Sequence, residues 1–580
     1  MQHQRSTCLR AAASLALLFG VLAYSPRALA DYPIASHRYL ADPGALVANG
    51  RVYLYNSNDD DNPVEGDYQM KSIVCISSSD LKNWTDHGEV LRVPVNAGWA
   101  NFSWAPAAIE RNGKIYLYFG NNASGVGVAS SSNPIGPFSD ARGSALVDGS
   151  TPGAAGTNSW LFDPSVFIDD DGQAYLTFGG NGDDNARIIP LNADMVSVSG
   201  PAIALSVPNY FEASWLFKHD GLYYFTYSTT PAAGQRIDYL TSTSPTSGFT
   251  YRGVVAGQPP SNGNNNHHSI FEFNGSWYHA YHNRVVATQA GVPTSYRRNL
   301  ALERLEYNAD GTIQQVAYTT DGVPQLANLN PYVRVEAETT HAQSGIETEP
   351  CSAGGMDVTD LQAGDWLAVR GVDFGSTGAR SFDASVASAA SGGSIELHLD
   401  SPTGTLIGSC AVPETGGPQT WSVATCSVTG ASGVHDLYLS FGGPSSPLFN
   451  LDYWQFTPLV PGEGAGSEPG PGGAGAPGSA GSSGVFGIAG FGDAVGGVST
   501  PGGGAMGNAG GNGGADALAA DPASAGGPVT TSRGRNGAGC NCAVVYSNSS
   551  GAPAVVLLTL SLALRARRRV AERIVARVRM

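Results

Sequence analysis

Phe162–Phe178 reads FDPSVFIDDDGQAYLTF: a polar opening, a short apolar stretch, a glycine turn and an alternating aromatic strand. Two alternating runs about a glycine turn are the pattern of a β-hairpin. The pattern occurs four more times, as ADPGALVANGRVYLYNS from Ala41, WAPAAIERNGKIYLYFG from Trp104, FEASWLFKHDGLYYFTYS from Phe211 and HHSIFEFNGSWYHAYHN from His267. Successive copies start roughly 50 to 60 residues apart, the length of one four-stranded blade with its loops. The repeat predicts an all-β domain over residues 31–329, a five-bladed β-propeller.

The innermost strand of each blade lines the channel of a propeller. The opening residues of the repeats therefore converge on one axis: Asp42, Trp104 with Ala105, Asp163, Glu212, and His267 with His268. An Asp-Pro pair alone often only starts a turn. Three carboxylates at one register of a repeat are harder to explain that way. Two carboxyl groups flanking a glycosidic bond can hydrolyse it, one protonating the leaving oxygen and the other activating water. A third raises the pKa of the acid by like-charge repulsion. The run Asp169, Asp170, Asp171 falls instead at the hairpin turn, before Gly172, and reads as solvent-facing. Phe167 and Phe178 stand where a calcium loop needs its first and last ligands.

The 580-residue chain has a net charge of −17, and only 14% of its residues are charged. That excludes nucleic acid or an anionic membrane as partner for the bulk of the protein and suits a neutral or cationic ligand. Arg5 and Arg10 precede an apolar stretch, Ala11 to Ala23, and RALA precedes Asp31, so residues 1–30 read as a secretory signal peptide. A spanning helix needs a longer run, about 18 residues. Export places the chain where disulfides persist. Of seven cysteines, Cys8 leaves with the signal, and Cys410 and Cys426 are the expected disulfide. Cys75 and Cys351 are unassigned, and no spacing suggests zinc.

Residues 330–458 carry short alternating runs and turns suited to a β-sandwich. Residues 459–539 are mostly Gly, Ala, Pro and Ser, the composition of a disordered linker. Residues 540–580 hold Cys540 and Cys542, an apolar run from Ala552 to Leu564 and the basic stretch RARRRVAERIVARVR, which reads as a membrane anchor or stop-transfer element.

Residues 37 to 326 resemble glycoside hydrolase family 43 in LADPGALVANGRVYLY, SSSDLKNWTDHG, WAPAAIERNGKIYLYFG, SNPIGPFSD, FDPSVFIDDDGQAYLTFGG, FEASWLFKHDGLYYFTYS and NHHSIFEFNGSWYHAYHNR. The resemblance implies an inverting enzyme on arabinose- and xylose-containing polysaccharides. It makes Asp42 the general base, Glu212 the general acid and Asp163 the modulator of the acid's pKa. His268 matches the family's channel histidine, which binds substrate or organises a water or calcium ion; His267 is a less close match. Trp104 and Phe211 would form an apolar wall for the sugar. A sialidase is excluded, because SSDLKNW lacks the Asp-box glycine and no arginine trio opens the repeats.

The second domain resembles a family 6 carbohydrate-binding module in VEAETTHAQSGIETE, LQAGDWLAVRGVDFGSTGARSF, HDLYLSFGG and LFNLDYWQF. Trp421 matches a stacking aromatic, Asn450 the polar anchor of the cleft, and Glu336, Glu338 and Asp452 positions near a structural calcium. Asp360 stands where the second aromatic is usual. Cys410 and Cys426 fall where some such modules carry a disulfide. The C-terminus resembles the tripartite sorting signals of myxobacterial surface proteins, with Cys540 and Cys542 as a processing or lipidation site; a simple tail anchor is the alternative. Together these imply a secreted protein, retained at the cell surface or outer membrane, that releases α-L-arabinofuranosyl units from arabinoxylan in the plant cell wall. A β-xylosidase or endo-arabinanase acting on xylan or arabinan, and a non-catalytic glycan-binding protein, are the alternatives.

Overall fold

The structure is a computed structural model that describes residues 33–63 and 67–460. The signal segment, the linker and the C-terminal segment with Cys540 and Cys542 lie outside the described residues.

Five antiparallel sheets follow one another along the first part of the chain. The first consists of Leu40–Ala48, Arg51–Asn58, Ser72–Ser78 and Trp84–Arg92. The second begins with Trp104–Arg111, the third with Ser165–Ile168, the fourth with Tyr210–His219 and the fifth with His268–Phe273. Each opens with the hairpin the sequence predicts. The turns need glycine at a left-handed backbone: Gly113 (φ 73°), Gly172 (φ 84°) and Gly275 (φ 72°) sit there. First strands contact one another in sequence order, and that of the fifth sheet contacts that of the first, so they form a ring. The fifth sheet has three strands, and an isolated bridge from Ile34 to Leu300 ties the N-terminal residues to its outer strand. Apolar side chains fill the gaps between neighbouring sheets. Tyr55, Leu117 and Phe119 lie in one such cluster, and Phe178, Trp215 and Tyr239 in another.

The second part of the chain is a sandwich. One sheet contains Ala379–Ala387, Trp421–Ser427 and Asn450–Pro458; the other contains Gly393–Leu399, Thr405–Val412 and Val434–Gly442. Trp454, Phe382 and Leu439 are among the core residues between them. Cys410 and Cys426 form a disulfide linking edge strands of the two sheets. Cys75 and Cys351 are free thiols, both buried.

The boundary drawn at residue 330 separates the cores but not the sheets. Thr339 and Thr340 pair with Thr85 and Trp84 on the outer strand of the first sheet, adding a fifth strand from the sandwich side. Beside that strand Asp86 is fully buried. Its Oδ2 accepts from Arg38 Nε at 2.6 Å and from Thr348 Oγ1 at 2.8 Å, and it lies 2.9 Å from His37 Nε2. Burial alone would raise the carboxyl pKa, but Arg38 and His37 hold it well below the usual range. Asn83 and Arg370 exchange side-chain and main-chain hydrogen bonds at 2.7 and 3.0 Å across the same seam.

The turn Asp169–Gly172 is less simple than the sequence suggests. Asp170 is exposed, but Asp169 pairs with Lys218 at 2.8 Å and accepts from the Tyr223 hydroxyl at 2.5 Å. That aspartate fastens the third sheet to the fourth.

Candidate active site

The opening residues of the first, second, third and fourth repeats share one backbone peculiarity. Asp42 (φ 54°), Ala105 (φ 42°), Asp163 (φ 49°) and Ala213 (φ 59°) all adopt left-handed backbone without being glycine. Such residues each cost on the order of 1–3 kcal/mol and cluster where side chains are aimed for function. Strand register also breaks there, between Ala41 and Gly44, between Trp104 and Ala107, and on both sides of Glu212. A bulge next to a site re-aims a side chain. Here it turns the carboxylates toward the axis. Gly44 is needed at the first bulge, because a Cβ would collide with the carbonyl of Pro106 in the neighbouring sheet.

Asp42, Asp163 and Glu212 line a single pocket of about 330 Å³. Trp104, Trp160 and Phe211 form its apolar wall, and His267, Asn265 and Arg298 complete the polar side. The three acids are 4%, 4% and 6% exposed. Their environments differ sharply. Burial alone would raise the Asp42 pKa, but Arg298 Nη1 donates to Oδ1 at 2.6 Å and holds the carboxyl well below its usual range, with help from His282 and His267. Glu212 is pushed up to about 8 by burial and by the negative charge of Asp42, against Arg298, Asn265 and Arg284. Asp163 is also pushed well up, by burial, Glu212 and Asp42; its Oδ2 accepts from the Ala213 amide at 3.1 Å. At neutral pH the ring therefore holds an ionised Asp42 opposite a protonated acid.

The paired histidines divide differently from expectation. His267, not His268, lines the pocket, its Nδ1 lying 3.7 Å from Asp42 and 3.6 Å from Asp163. Burial pushes its pKa down to about 4, so it is neutral there. His268 begins the next strand, is fully buried and is not among the residues that line the pocket. It lies 2.6 Å from Thr226 Oγ1 through Nε2, and its Nδ1 has no partner. A single-residue step along a strand reverses the face a side chain presents.

Several site residues have no counterpart in the sequence reading. Arg298 joins Asp42 to Asp59, His282 Nδ1 accepts from the Asp42 amide at 3.3 Å, and Arg284, Tyr68 and Asn265 form a cluster beside Glu212. A clue was available in YRRNL. Two adjacent arginines preceding a strand are notable in a chain with only 31 lysines and arginines.

In the sandwich, Asn450 and Trp421 flank Ala387 at one row of the sheet. Trp421 Nε1 donates to Ser352 Oγ at 3.0 Å. The Asn450 amide donates to Glu349 at 2.7 Å and Asp357 at 3.0 Å; burial pushes Asp357 up to about 7. Asp360 lies at φ 53°, a left-handed conformation that aspartate tolerates better than an aromatic residue. Arg334 bridges Glu336 at 2.8 Å and Asp452 at 3.2 Å, while Glu338 Oε2 is buried without a partner. Among the described residues no three His, Cys, Asp or Glu side chains converge to hold a metal. With Arg334 in place, Glu336, Glu338 and Asp452 do not fit calcium as a ligand set. His268 offers one nitrogen to an ion that takes oxygen ligands, so it fits calcium only through the ion's own waters.

Residues 30–313 match the profile of glycosyl hydrolases family 43, and residues 336–458 that of carbohydrate binding module family 6. An arabinoxylan arabinofuranohydrolase of Paenibacillus polymyxa is 43% identical over 478 residues, covering 74% of this chain and 75% of the relative. Its namesake from Bacillus subtilis (strain 168) is 44% identical over 477 residues, covering 73% and 92%. The chain belongs to glycosyl hydrolases family 43. It is a glycoside hydrolase. Among solved structures, that of a family 43 arabinoxylan arabinofuranohydrolase from Bacillus subtilis in complex with cellotetraose superposes with a TM-score of 0.69 at 42% identity, covering 74% of this chain and 98% of the other. The family 43 domain carries the carboxylate ring, and the family 6 module is the sandwich.

Proposed function

We propose that the protein is an inverting exo-acting enzyme that releases α-L-arabinofuranosyl units from arabinoxylan. The observation that carries this reading is the contrast inside one pocket: Asp42 held ionised by Arg298 and Glu212 held protonated by burial. The two arabinoxylan arabinofuranohydrolase relatives give the substrate class. The five sheets serve as the blades of a propeller whose inner strands present the acids.

Asp42 takes a proton from water as the water oxygen bonds to C1 of the sugar. Glu212 gives its proton to the departing glycosidic oxygen as the C1–O bond breaks. Asp42 ends protonated and Glu212 ionised, and a single displacement inverts the anomeric carbon. Asp163, itself pushed well up by burial and by Glu212, accepts from the Ala213 amide next to Glu212 and so helps to orient the acid. Trp104, Trp160 and Phe211 receive the apolar face of the ring, and Trp104 Nε1, a buried donor without a partner, is available to a sugar hydroxyl. A second depression of about 410 Å³ shares Asn122 and Ala123 with the pocket, giving room for the polysaccharide backbone while a branch sugar enters the ring. The sandwich holds the polymer through Trp421. His268 would hold a calcium ion through the ion's own waters, and the ion would supply fixed positive charge there. Chelation followed by thermal melting tests that ion. The signal and C-terminal segments support secretion with retention at the cell surface.

Product analysis on arabinoxylan, arabinan, linear xylan and the aryl glycosides of arabinose and xylose tests the reading. Arabinose released from arabinoxylan as the inverted anomer by proton NMR is the expected result. Xylose as the main product, or initial release of the retained anomer, overturns it.

A further inference from the structure

The left-handed residues Asp42, Ala105 and Ala213 sit at breaks in strand register, which free their amides from the ladder. A buried N–H left without an acceptor is costly. Each of these three amides is taken by a side chain of the preceding sheet. Ala105 N–H donates to Ser57 Oγ at 2.8 Å, Ala213 N–H to Asp163 Oδ2 at 3.1 Å and Asp42 N–H to His282 Nδ1 at 3.3 Å. His282 lies near the end of Ser276–Asn283 in the fifth sheet, so its contact joins the last sheet to the first. The imidazole is fully buried. Its Nε2 lies 3.3 Å from the Asn265 carbonyl, which only accepts, so Nε2 carries the hydrogen and Nδ1 offers a lone pair. Burial, helped by Arg298 and Arg284, holds the His282 pKa down against Asp42. Nδ1 also lies 3.2 Å from Asp42 Oδ1, but that oxygen already accepts from Arg298 at 2.6 Å.

We infer that His282 is a positioning residue for the general base: its Nδ1 accepts the Asp42 amide and holds the left-handed backbone that aims the carboxylate. This rests on the role proposed for Asp42. A left-handed aspartate persists only where its surroundings over-determine it. Arg298 fixes the residue at its carboxylate, and His282 fixes it at its amide. The base must stand within hydrogen-bond reach of the attacking water, and a misplacement of about 1 Å can cost about 100-fold in rate. His282 does not line the pocket, so its loss falls on kcat rather than on substrate binding.

The charged and titratable groups facing His282 are Asp42, Arg298, Arg284 and His267. His282→Gln and His282→Asn leave all of them in place and separate the two ring nitrogens. Glutamine carries its amide near the place of Nε2, and asparagine carries its amide oxygen near the place of Nδ1. His282→Gln keeps the donor to Asn265 and loses the acceptor for Asp42. Its kcat falls about 10- to 100-fold on arabinoxylan and on 4-nitrophenyl α-L-arabinofuranoside alike, with KM changed less than about 3-fold. Both substrates suffer, because water must be activated whichever group leaves. His282→Asn restores the acceptor and recovers kcat to within about 3-fold of the wild type, with the acid limb of its pH profile unmoved. Equal losses in the two variants, or the reverse ranking, overturn the inference. An acid limb that rises in His282→Asn also overturns it, since a charged imidazole would then be serving the carboxylate. Neutron diffraction of wild-type crystals in heavy water at neutral pH needs no variant: deuterium on Nε2 alone is expected, and deuterium on Nδ1 refutes the acceptor. If Asp42→Ala is inactive while His282→Gln matches the wild type, this inference alone falls. If the wild type releases no arabinose, the reading of the site falls and takes this with it.

Discussion

Arg298 donates to Asp42 through Nη1 at 2.6 Å while its Nε and Nη2 donate to Asp59 at 2.9 and 2.8 Å. One guanidinium thus neutralises the proposed base and is itself clamped by a second buried carboxylate. Lysine carries the charge but not the fork. Arg298→Lys is expected to lower kcat/KM about 100-fold, since it loosens a buried charge pair. The acid limb of the pH profile moves up toward the ordinary carboxylate range, because Asp42 loses what keeps it ionised. An unmoved acid limb argues against Asp42 as base.

Glu212 must carry a proton to act, and it is pushed up to about 8. Activity on arabinoxylan is expected to hold below that pH and fall as pH rises through it. Glu212→Gln removes the transferable proton and lowers kcat on arabinoxylan by about 10²- to 10⁴-fold. Measuring kcat/KM from pH 4 to 10 for both proteins checks the pair of outcomes.

The same carboxyl has a cost to the fold, with a definite sign. Its folded pKa of about 8 lies above the ordinary glutamate value of 4.5. The stability it contributes is present below the lower value and is lost as pH rises through the higher one. Glutamine does not titrate. The melting temperature of Glu212→Gln should therefore exceed that of the wild type by a margin that widens between those two pH values and then stays level. Differential scanning calorimetry across that window tests it; a constant margin refutes the raised pKa.

In the sandwich, the disulfide closes a loop of sequence separation 16, worth about 3 kcal/mol by chain entropy. Replacing Cys410 and Cys426 with serine is expected to lower the melting temperature. Turnover of a small aryl arabinofuranoside at 25 °C should stay unchanged, since neither residue lines the pocket.

Trp421→Ala is expected to weaken retention on insoluble arabinoxylan severalfold, the loss of about 1 kcal/mol of ring stacking. Hydrolysis of the soluble aryl glycoside stays at the wild-type rate. Affinity electrophoresis in xylan-containing gels separates the two effects.

The three acids were legible in the sequence because each opens a copy of one hairpin pattern, and a repeat places equivalent residues at equivalent points. Arg298, Arg284, Asn265 and Asp59 were not, because each lies in a loop, at a strand edge or in a short 3₁₀ turn, where no period constrains it. His267 and His268 show the limit within a repeat. Composition put a histidine at the right blade, but only the backbone decides which of two adjacent rings faces the sugar. Asp169 shows the converse, since a turn aspartate that looked solvated found Lys218 on the neighbouring sheet.

Thr339 and Thr340 complete the outer edge of the first sheet from beyond the sequence boundary. A fragment ending at residue 330 would therefore expose the edge groups of Trp84 and Thr85, a template for self-association. It would also strip Asp86 of Thr348. The binding module is thus not a detachable cassette, and a catalytic fragment cut at the obvious place is mutilated rather than simplified.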